Sequence, residues 1–434
     1  MPAHPVLSQV VLGYSPIINR QHSVLATRLT IAPHPPDASP DLAALFLALD
    51  EVWPPADGAG AGGARQGALK LTLRPLDAAG SAGTANPAVA AAKAPAPVSL
   101  NIAGEALLQS VLQAAPAPHR MIEVPAFMAG DPAYASTLRE LHAAGAVMLI
   151  KGRPLKPMAP EVLACFAHSI VELADDRRTS AAPPAGARKV STVYSGARTR
   201  ADAVTAFERG AVALLGWQFD DPAPAANARV AVPPNVSVVM ELIQGVDKEW
   251  PASKLEATLK RDPLLGYKLL RYLNSPAFGM SVEITSFGHA LMMVGHQRLK
   301  RWLVLLLTST SKDTRAKPII HAAVRRGLIL EELVRSQNNA ELSGELFICG
   351  VFSLLDRLLQ LPLAELLNAV PLSEPLQMAL RGAGGPYLPY LDLVRAIESE
   401  ALFDIRAKAE ALFLSQAEVN SALLNALRDG QQLD

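Results

Sequence analysis

Short apolar segments alternate with helical segments through the first half of the chain. Residues 7–31 alternate between apolar and polar side chains, which predicts two strands joined by a turn. Further on, the strand-like segment Val98–Ile102 is followed by the helical segment Gly104–Gln113. Strands that alternate with helices over about 200 residues favour a parallel sheet closed into a βα barrel. The other strands predicted for this barrel are Arg120–Val124, Ala146–Ile150, Lys189–Tyr194 and Val212–Trp217.

Helical spacing dominates the second half of the chain, from residue 235 onward. Asp262 can cap a helix, Pro263 suits its first turn, and the Asn-Ser-Pro tripeptide at 274–276 ends that helix. The segment Glu345–Leu361 is almost uninterruptedly apolar, which predicts a helix in the middle of a bundle. We therefore expect an all-helical domain behind the α/β barrel.

Composition divides the chain into two predicted domains. Residues 1–222 form the barrel domain, with an insertion at about 54–97 that is rich in Ala, Gly and Pro. Such a segment buries too little apolar surface to offset its ordering entropy, so we expect it to be flexible. Residues 223–234 are rich in Ala and Pro, which is typical of an extended linker. Residues 235–434 form the predicted helical domain.

Charge and cysteine content narrow the class of protein. Lys and Arg total 40, as do Asp and Glu, so no global basic field favours nucleic acid binding. Cys165 and Cys349 form no CxxC pair, which suits a reducing compartment and offers no zinc site. The apolar run Leu303–Leu307 is far shorter than the roughly 20 residues that span a bilayer, and the first residues lack a secretory pattern. We expect a cytoplasmic protein without a membrane span, a nucleic acid partner or a cofactor.

An ordered series of short motifs follows Asp262. It comprises Leu-Asn-Ser at 273–275, Phe-Gly at 278–279, Ile-Thr-Ser at 284–286, Ala290 with Gly295, and a basic pair at 300–301. The series resembles the signature of the HD-related output domain (HDOD), a helical signalling domain derived from metal-dependent HD phosphohydrolases. The resemblance implies a structural role for the signature residues Asp262, Pro263, Asn274, Ser275, Gly279, Gly295, Gly350 and Asp356.

Three segments of the first half resemble the EAL domain, the barrel that hydrolyses the bacterial messenger cyclic di-GMP. Ser-Pro-Ile at 15–17 resembles its Gln-Pro-Ile opening, and Ser-Leu-Asn-Ile at 99–102 resembles a strand with a metal-binding Asn. Leu-Gly-Trp-Gln-Phe at 215–219, followed by Pro222, resembles its closing segment. The chain is thus similar to composite EAL–HDOD signalling proteins of bacteria. In that fold, catalytic residues would lie at the C-terminal ends of the strands and would hold two metal ions.

The departures from both families remove the expected metal ligands. Arg28 stands where the EAL domain has its defining Glu, Ala126 stands near a metal-binding Glu, and Lys151-Gly152 replace a pair of Asp. At 353–354, Ser-Leu replaces the His-Asp pair of catalytic HD domains. Metal hydrolysis needs several acidic or imidazole ligands, so the resemblance implies a degenerate EAL domain with no metal and no catalytic residues.

We therefore expect a non-catalytic regulator, not an enzyme, that acts through contacts with other signalling proteins in pathways linked to cyclic di-GMP, motility or surface behaviour. Two alternatives stay open. The barrel could bind cyclic di-GMP as a receptor, since Arg28 and Lys151 could meet phosphates, with Asn101 beside them. The other alternative is a residual cyclic di-GMP phosphodiesterase. Five basic residues make the helical half locally basic: Arg298, Lys300, Arg301, Arg325 and Arg326. A solvated helical face is the simplest interpretation, and contact with a phosphate or an acidic partner is the alternative.

Overall fold

The computed structural model describes residues 4–54, 96–154, 158–176, 190–221, 234–259, 261, 295–296, 299–304, 306–307, 316–369 and 372–431. These residues form two compact units. The barrel unit comprises Tyr14–Arg20 and Val24–Trp217, and the helical unit comprises Met1–Gly13, Gln21–Ser23 and Gln218–Asp434. Most of the predicted insertion at 54–97 and of the predicted linker at 223–234 lies outside the described residues.

Eight strands close into a barrel in sequence order, which confirms the predicted barrel. Strand β1 pairs antiparallel with β8, whereas the successive pairs from β2 to β8 are parallel. The strands are β1 (Val10–Asn19), β2 (Val24–Pro33), β3 (Val98–Ile102), β4 (Arg120–Pro125), β5 (Val147–Lys151), β6 (Phe166–Glu172), β7 (Ser191–Ser195) and β8 (Ala211–Leu215).

Helices cover the outside of the barrel. Between β7 and β8, the side chain of Thr199 accepts from the backbone N–H of Asp202 and the Asp202 carboxylate accepts from the backbone N–H of Thr199, a capping box that begins a helix. That helix packs Phe207 against the buried Tyr194 of β7. The described helices of the barrel unit are α1 (Leu42–Asp50), α2 (Glu105–Gln113), α3 (Ala126–Ala129), α4 (Ala135–Ala143), α5 (Pro160–Leu163) and α6 (Arg200–Glu208).

Inward-facing side chains fill the barrel in tiers. An apolar tier is built from alternate residues of the strands, including Ala26 of β2, Met121 of β4 and Ile170 of β6. Because side chains alternate across a strand, the residues two positions further on also face inward. In β2 and β4 these residues are Arg28 and Glu123, so a polar tier lies above the apolar one toward the C-terminal ends of the strands.

The helical unit is an all-helical bundle, as predicted. Its described helices are α7 (Pro234–Asp247), α8 (Ala252–Leu259), α9 (Lys317–Leu333), α10 (Ala340–Phe352), α11 (Leu355–Leu359), α12 (Leu363–Ala369), α13 (Glu374–Leu380), α14 (Leu388–Glu398), α15 (Leu402–Ala411) and α16 (Gln416–Gln431). Residues 299–304 are also helical. The predicted single helix Glu345–Leu361 is interrupted, because α10 ends at Phe352 and the Oγ of Ser353 donates to the carbonyl of Gly350 (2.7 Å).

Two contacts within the helical unit join elements that are far apart in the sequence. Helices α9 and α10 cross so closely that a Cβ on Gly350 would lie 2.4 Å from the backbone N of Gly327, a distance that only glycine accommodates. On α16, the buried Asn420 donates to the carbonyls of Leu7 (2.8 Å) and Val10 (2.7 Å). The start of the chain is therefore bound to its last helix, which the alternating pattern of residues 7–31 did not indicate. Among the described helices, none is long and apolar enough to span a bilayer.

Candidate functional site

Three side chains singled out from the sequence lie on neighbouring strands of the barrel. Arg28 belongs to β2, Asn101 to β3 and Lys151 to β5. All three lie toward the C-terminal ends of their strands, where Lys151 bonds to Asn101 and Arg28 bonds to Glu123. We refer to this end of the barrel as the barrel mouth.

Arg28 forms a buried ion pair with Glu123 of β4. Its Nε donates to Glu123 Oε1 (2.9 Å) and its Nη2 donates to Oε2 (2.7 Å), a two-pronged arrangement. The Oγ of Ser99 also donates to Oε1 (3.0 Å). The Glu123 side chain is 0% exposed and that of Arg28 is 11% exposed. The geometry satisfies both charges inside the barrel, which is the condition under which a buried ion pair is tolerated.

A second polar chain lies beside this pair. The Nζ of Lys151 donates to Asn101 Oδ1 (2.7 Å), and Asn101 Nδ2 donates to the Oγ1 of Thr30 (2.8 Å). Asn101 is buried and Lys151 is half-buried. Asn101 thus holds the ammonium group of Lys151 in place through a neutral amide.

Sequence reasoning missed a carboxylate on the rim of the barrel mouth. Glu172 ends β6, and its Oε2 accepts from the Oγ of Ser195 at the end of β7 (2.7 Å). Glu172 follows the inward-facing Ile170 by two positions and is exposed. The two-residue period of β6 indicates that Glu172 faces inward, since every second residue of a strand lies on the same face. Sequence reasoning could use this period only after the register of β6 was known.

The residues of the barrel mouth do not fit a pair of metal ions. Among the described residues, no three His, Cys, Asp or Glu side chains form a group that could hold a metal. Glu123 is already paired with Arg28, and Lys151 adds a positive charge close by. Two divalent ions need several carboxylates to neutralise them, so we derive no step through a metal.

The helical unit contains a similar buried pair, which contacts Ser353, one of the two residues at the position of the missing His-Asp ligands. Arg326 of α9 donates from Nη2 to Glu398 Oε2 (2.7 Å) and from Nη1 to the Oγ of Ser353 (2.9 Å). Its guanidinium also lies 5.5 Å from the ring centroid of Phe219. Both Arg325 and Arg326 are buried, so the interpretation of these two residues as part of a solvated face is wrong. Helix packing buries these two arginines although both are charged.

The buried cysteine of this region is not a reactive nucleophile. Cys349 of α10 is buried, and desolvation raises the pKa of its thiol to about 12. The neighbouring cations Arg395 and Arg326 lower it only partly. The thiol therefore stays protonated at neutral pH, and the thiolate that would act as a nucleophile is absent.

The HDOD signature residues are only partly within the described residues. Gly350 makes the close helix crossing, and Asp356 of α11 is buried beside Arg357 (Oδ2 to Nε, 3.3 Å). Gly295 is half-buried in a helical segment. The other signature positions, Asp262, Pro263, Asn274, Ser275 and Gly279, lie outside the described residues, and their structural role stays a prediction.

Comparison with known proteins supports part of this picture. A family model described as the HDOD domain matches residues 232–370. The chain is 26% identical over 220 residues to the cyclic di-GMP phosphodiesterase CdgJ of Vibrio cholerae, covering 50% of each chain. It is 28% identical over 221 residues to the uncharacterized protein YuxH of Bacillus subtilis, covering 49% of this chain and 53% of YuxH. The chain therefore spans about half the length of the curated relatives it matches.

A solved structure of the PaMucR phosphodiesterase in complex with c-di-GMP was also found. It is 17% identical and covers 49% of this chain and 96% of that chain, with a TM-score of 0.29. A TM-score this low carries no argument about fold or function, so the barrel is established by its own strand pairing.

The comparisons correct one expectation and leave others open. The expectation that the chain is not an enzyme is wrong, because the named relative is a phosphodiesterase. The HDOD match and the barrel fit the predicted composite, and a signalling role linked to cyclic di-GMP is supported. The assignment of the barrel to the EAL family, its degeneracy, the domain boundaries, the cytoplasmic location and the protein partners stay predictions.

Proposed function

We propose that the chain is a cyclic di-GMP signalling protein whose barrel mouth binds the cyclic dinucleotide. The observation that carries this proposal is the chain of hydrogen bonds from Lys151 through Asn101 to Thr30, beside the Arg28–Glu123 pair. Ligands of parallel βα barrels bind at the C-terminal ends of the strands, where these residues lie. The name of the relative CdgJ supports cyclic di-GMP as the ligand.

The charges at the barrel mouth suit a phosphodiester. Cyclic di-GMP carries two phosphodiester groups, each with one negative charge. The Arg28–Glu123 pair is neutral as a whole, and the ammonium group of Lys151 lies in the same end of the barrel. A Lys ammonium group binds phosphate as a point charge with several donors, and Asn101 holds it in position before the ligand arrives.

Calorimetry of the full chain with cyclic di-GMP tests this proposal. We expect binding in the wild-type protein and a loss of roughly tenfold or more in affinity in Lys151→Met, since a charge-assisted hydrogen bond contributes about 1.5–3 kcal/mol. Lys300→Met is the matched control, because Lys300 pairs with Asp247 in the helical unit and should leave binding unchanged. An absence of heat at high micromolar dinucleotide in the wild-type protein would contradict the proposal.

Hydrolysis of cyclic di-GMP is a second candidate function, and the name of CdgJ favours it. The described carboxylates of the barrel mouth, Glu123 and Glu172, would be the first residues to examine. The assay is turnover of cyclic di-GMP with Mg²⁺ or Mn²⁺, compared with a metal-free control and with Glu172→Gln. Turnover that depends on added metal and on Glu172 would support hydrolysis. Turnover no higher than in the metal-free control would count against it without affecting the binding proposal.

A further inference from the structure

A groove of about 280 Å³ lies in the helical unit, where α14 begins and α15 ends. Leu388 and Pro389 of α14 and Ala411 of α15 form its apolar walls. Gly384 and Gly385 form a rim that carries no side chains. Sites for small molecules usually measure about 300–1,000 Å³, so this groove suits one inserted side chain better than a small-molecule ligand.

An aromatic residue follows the groove at the end of α15, two positions beyond Ala411. The N–H of Phe413 donates to the carbonyl of Glu410 (3.0 Å). The N–H of Leu414 donates to the carbonyl of Ala409 (3.0 Å), which completes a Schellman motif. This geometry gives Phe413 a φ of +56°, in the left-handed region where glycine is the usual residue. Phe413 is also 96% exposed.

Both features of Phe413 are unfavourable in the isolated chain. A bulky residue with a positive φ is strained, and an exposed ring gains nothing from burial. The other described residues with a positive φ, glycines apart, are polar: His22, Glu249, Asn338, Gln360 and Glu400. Backbone strain combined with apolar exposure at one residue indicates a contact with another molecule.

The charges of the groove favour a second copy of this chain as that molecule. Lys408 of α15 and Asp392 of α14 both line the groove, so each copy presents one cation and one anion. Lys408 is half-buried and belongs to none of the ion pairs among the described residues, whereas Asp392 has an exposed pair with Arg395 (3.0 Å). A strongly acidic or strongly basic partner would match one of these charges and repel the other. In a twofold contact, Lys408 of each copy meets Asp392 of the other.

We propose that the chain forms a twofold dimer in which Phe413 of each copy inserts into the groove of the other. The ring and the groove wall at Ala411 are two residues apart in the chain, so one small surface supplies both halves of the contact. An aromatic anchor in an apolar pocket with charges at its edge is the arrangement that dominates binding at protein interfaces. The proposal is independent of any ligand of the barrel.

Sedimentation of the full chain over a series of concentrations tests the dimer. At micromolar concentration the wild-type protein should have twice the 46.0 kDa mass of one chain. Phe413→Gly should raise the dissociation constant of the dimer at least about 30-fold, the equivalent of the roughly 2 kcal/mol of a hot-spot residue. Glycine suits the positive φ, so the diluted variant should unfold at the wild-type temperature or above it. Phe403→Ala is the matched control, at a phenylalanine of the same helix that is 79% exposed, and should leave the dimer unchanged.

Mixing two charge variants tests the twofold arrangement. Lys408→Glu and Asp392→Lys should each weaken their own dimer, because like charges then meet at both ends of the interface. An equimolar mixture of the two variants should associate more tightly than either variant alone, because opposite charges then meet at both ends. A wild-type protein with the mass of one chain at every concentration would overturn the proposal. So would a dimer that persists unchanged in Phe413→Gly, or a mixture that associates no better than the single variants.

Discussion

The two units of this protein bury the same kind of ion pair in different surroundings. In the barrel, Arg28 and Glu123 lie beside a polar chain that leads to the half-buried Lys151. In the helical unit, Arg326 and Glu398 lie against Ser353 and the ring of Phe219. Each pair includes or contacts a residue that the family resemblances place at a metal-ligand position, namely Arg28 in the barrel and Ser353 in the helical unit. A guanidinium–carboxylate pair can therefore occupy such a position without a metal ion. The residues around the pair decide whether a surface that could bind another ligand remains beside it.

Breaking either pair by removing its cation should have the largest effect. Arg28→Met and Arg326→Met should each destabilise their own unit by about 3–5 kcal/mol, since each leaves a buried carboxylate without a countercharge. Hydrogen exchange followed peptide by peptide would report the loss in each unit separately. As a control, Arg395→Met removes an exposed cation that pairs with Asp392, and it should cost less than about 1 kcal/mol. A loss of that small size in Arg28→Met would mean that the barrel pair is not held in its buried geometry.

Replacing both members of a pair should affect the stability of the two units differently. A buried ion pair replaced by apolar residues is often neutral for stability, so Arg326→Met with Glu398→Leu should recover most of the loss. The double variant Arg28→Met with Glu123→Leu should recover less, by about 1–3 kcal/mol, because the hydroxyl of Ser99 loses its acceptor. Ser353 keeps its bond to the carbonyl of Gly350 and has no such cost. Equal recovery of both double variants in urea unfolding would contradict this difference.

Acidification should produce the smallest difference in stability between the two units, and the unit that loses stability should be the barrel. Burial lowers the pKa of His168, whose Nδ1 lies 2.8 Å from the Oγ of Ser191. The unfolded chain takes up a proton near the ordinary pKa of 6.5, while the imidazole in the folded barrel takes it up only at a lower pH. This contribution is therefore fully present above the unfolded pKa and is lost as pH falls below it.

The test compares the wild-type protein with His168→Gln between neutral pH and pH 5. Hydrogen exchange in the barrel should show that the wild-type barrel loses more stability than the variant. The substituted residue lies in the barrel unit, so the peptides of the helical unit should respond alike in both proteins. An identical pH response of the two barrels would show that His168 takes up its proton at the same pH in the folded and the unfolded chain, which contradicts a lowered pKa.

Much of the architecture could be predicted from the sequence because it depends on periodicity. Alternation with a period of two predicted strands near those observed, and helical spacing predicted the bundle behind them. The helix boundaries were less predictable, as the break at Ser353 inside the predicted helix Glu345–Leu361 illustrates. A local hydrogen bond to Gly350 ends α10 there, and apolar composition does not carry that information.

Only part of the candidate site could be predicted. Arg28, Asn101 and Lys151 were identified by comparison with a family pattern, and the structure joins Lys151 to Asn101 and Arg28 to Glu123. Their bonds could not be predicted, because Arg28 and Glu123 are 95 residues apart and meet only when strand register is fixed. Glu172 was missed for the same reason, since its position at the barrel mouth depends on where β6 ends.

The sequence by itself determined which segments are strands and helices, and which expected metal ligands are replaced. Tertiary structure decided what the replacing residues do. From the chain alone, Arg28 and Lys151 are two cations expected at one site, and Arg326 belongs to a solvated face. In the folded protein, Arg28 and Arg326 are each neutralised by a distant glutamate, and Lys151 is held by Asn101. The physical reason is that desolvation makes an unpaired buried charge costly, so packing selects the partner and the partner decides the role of the charge.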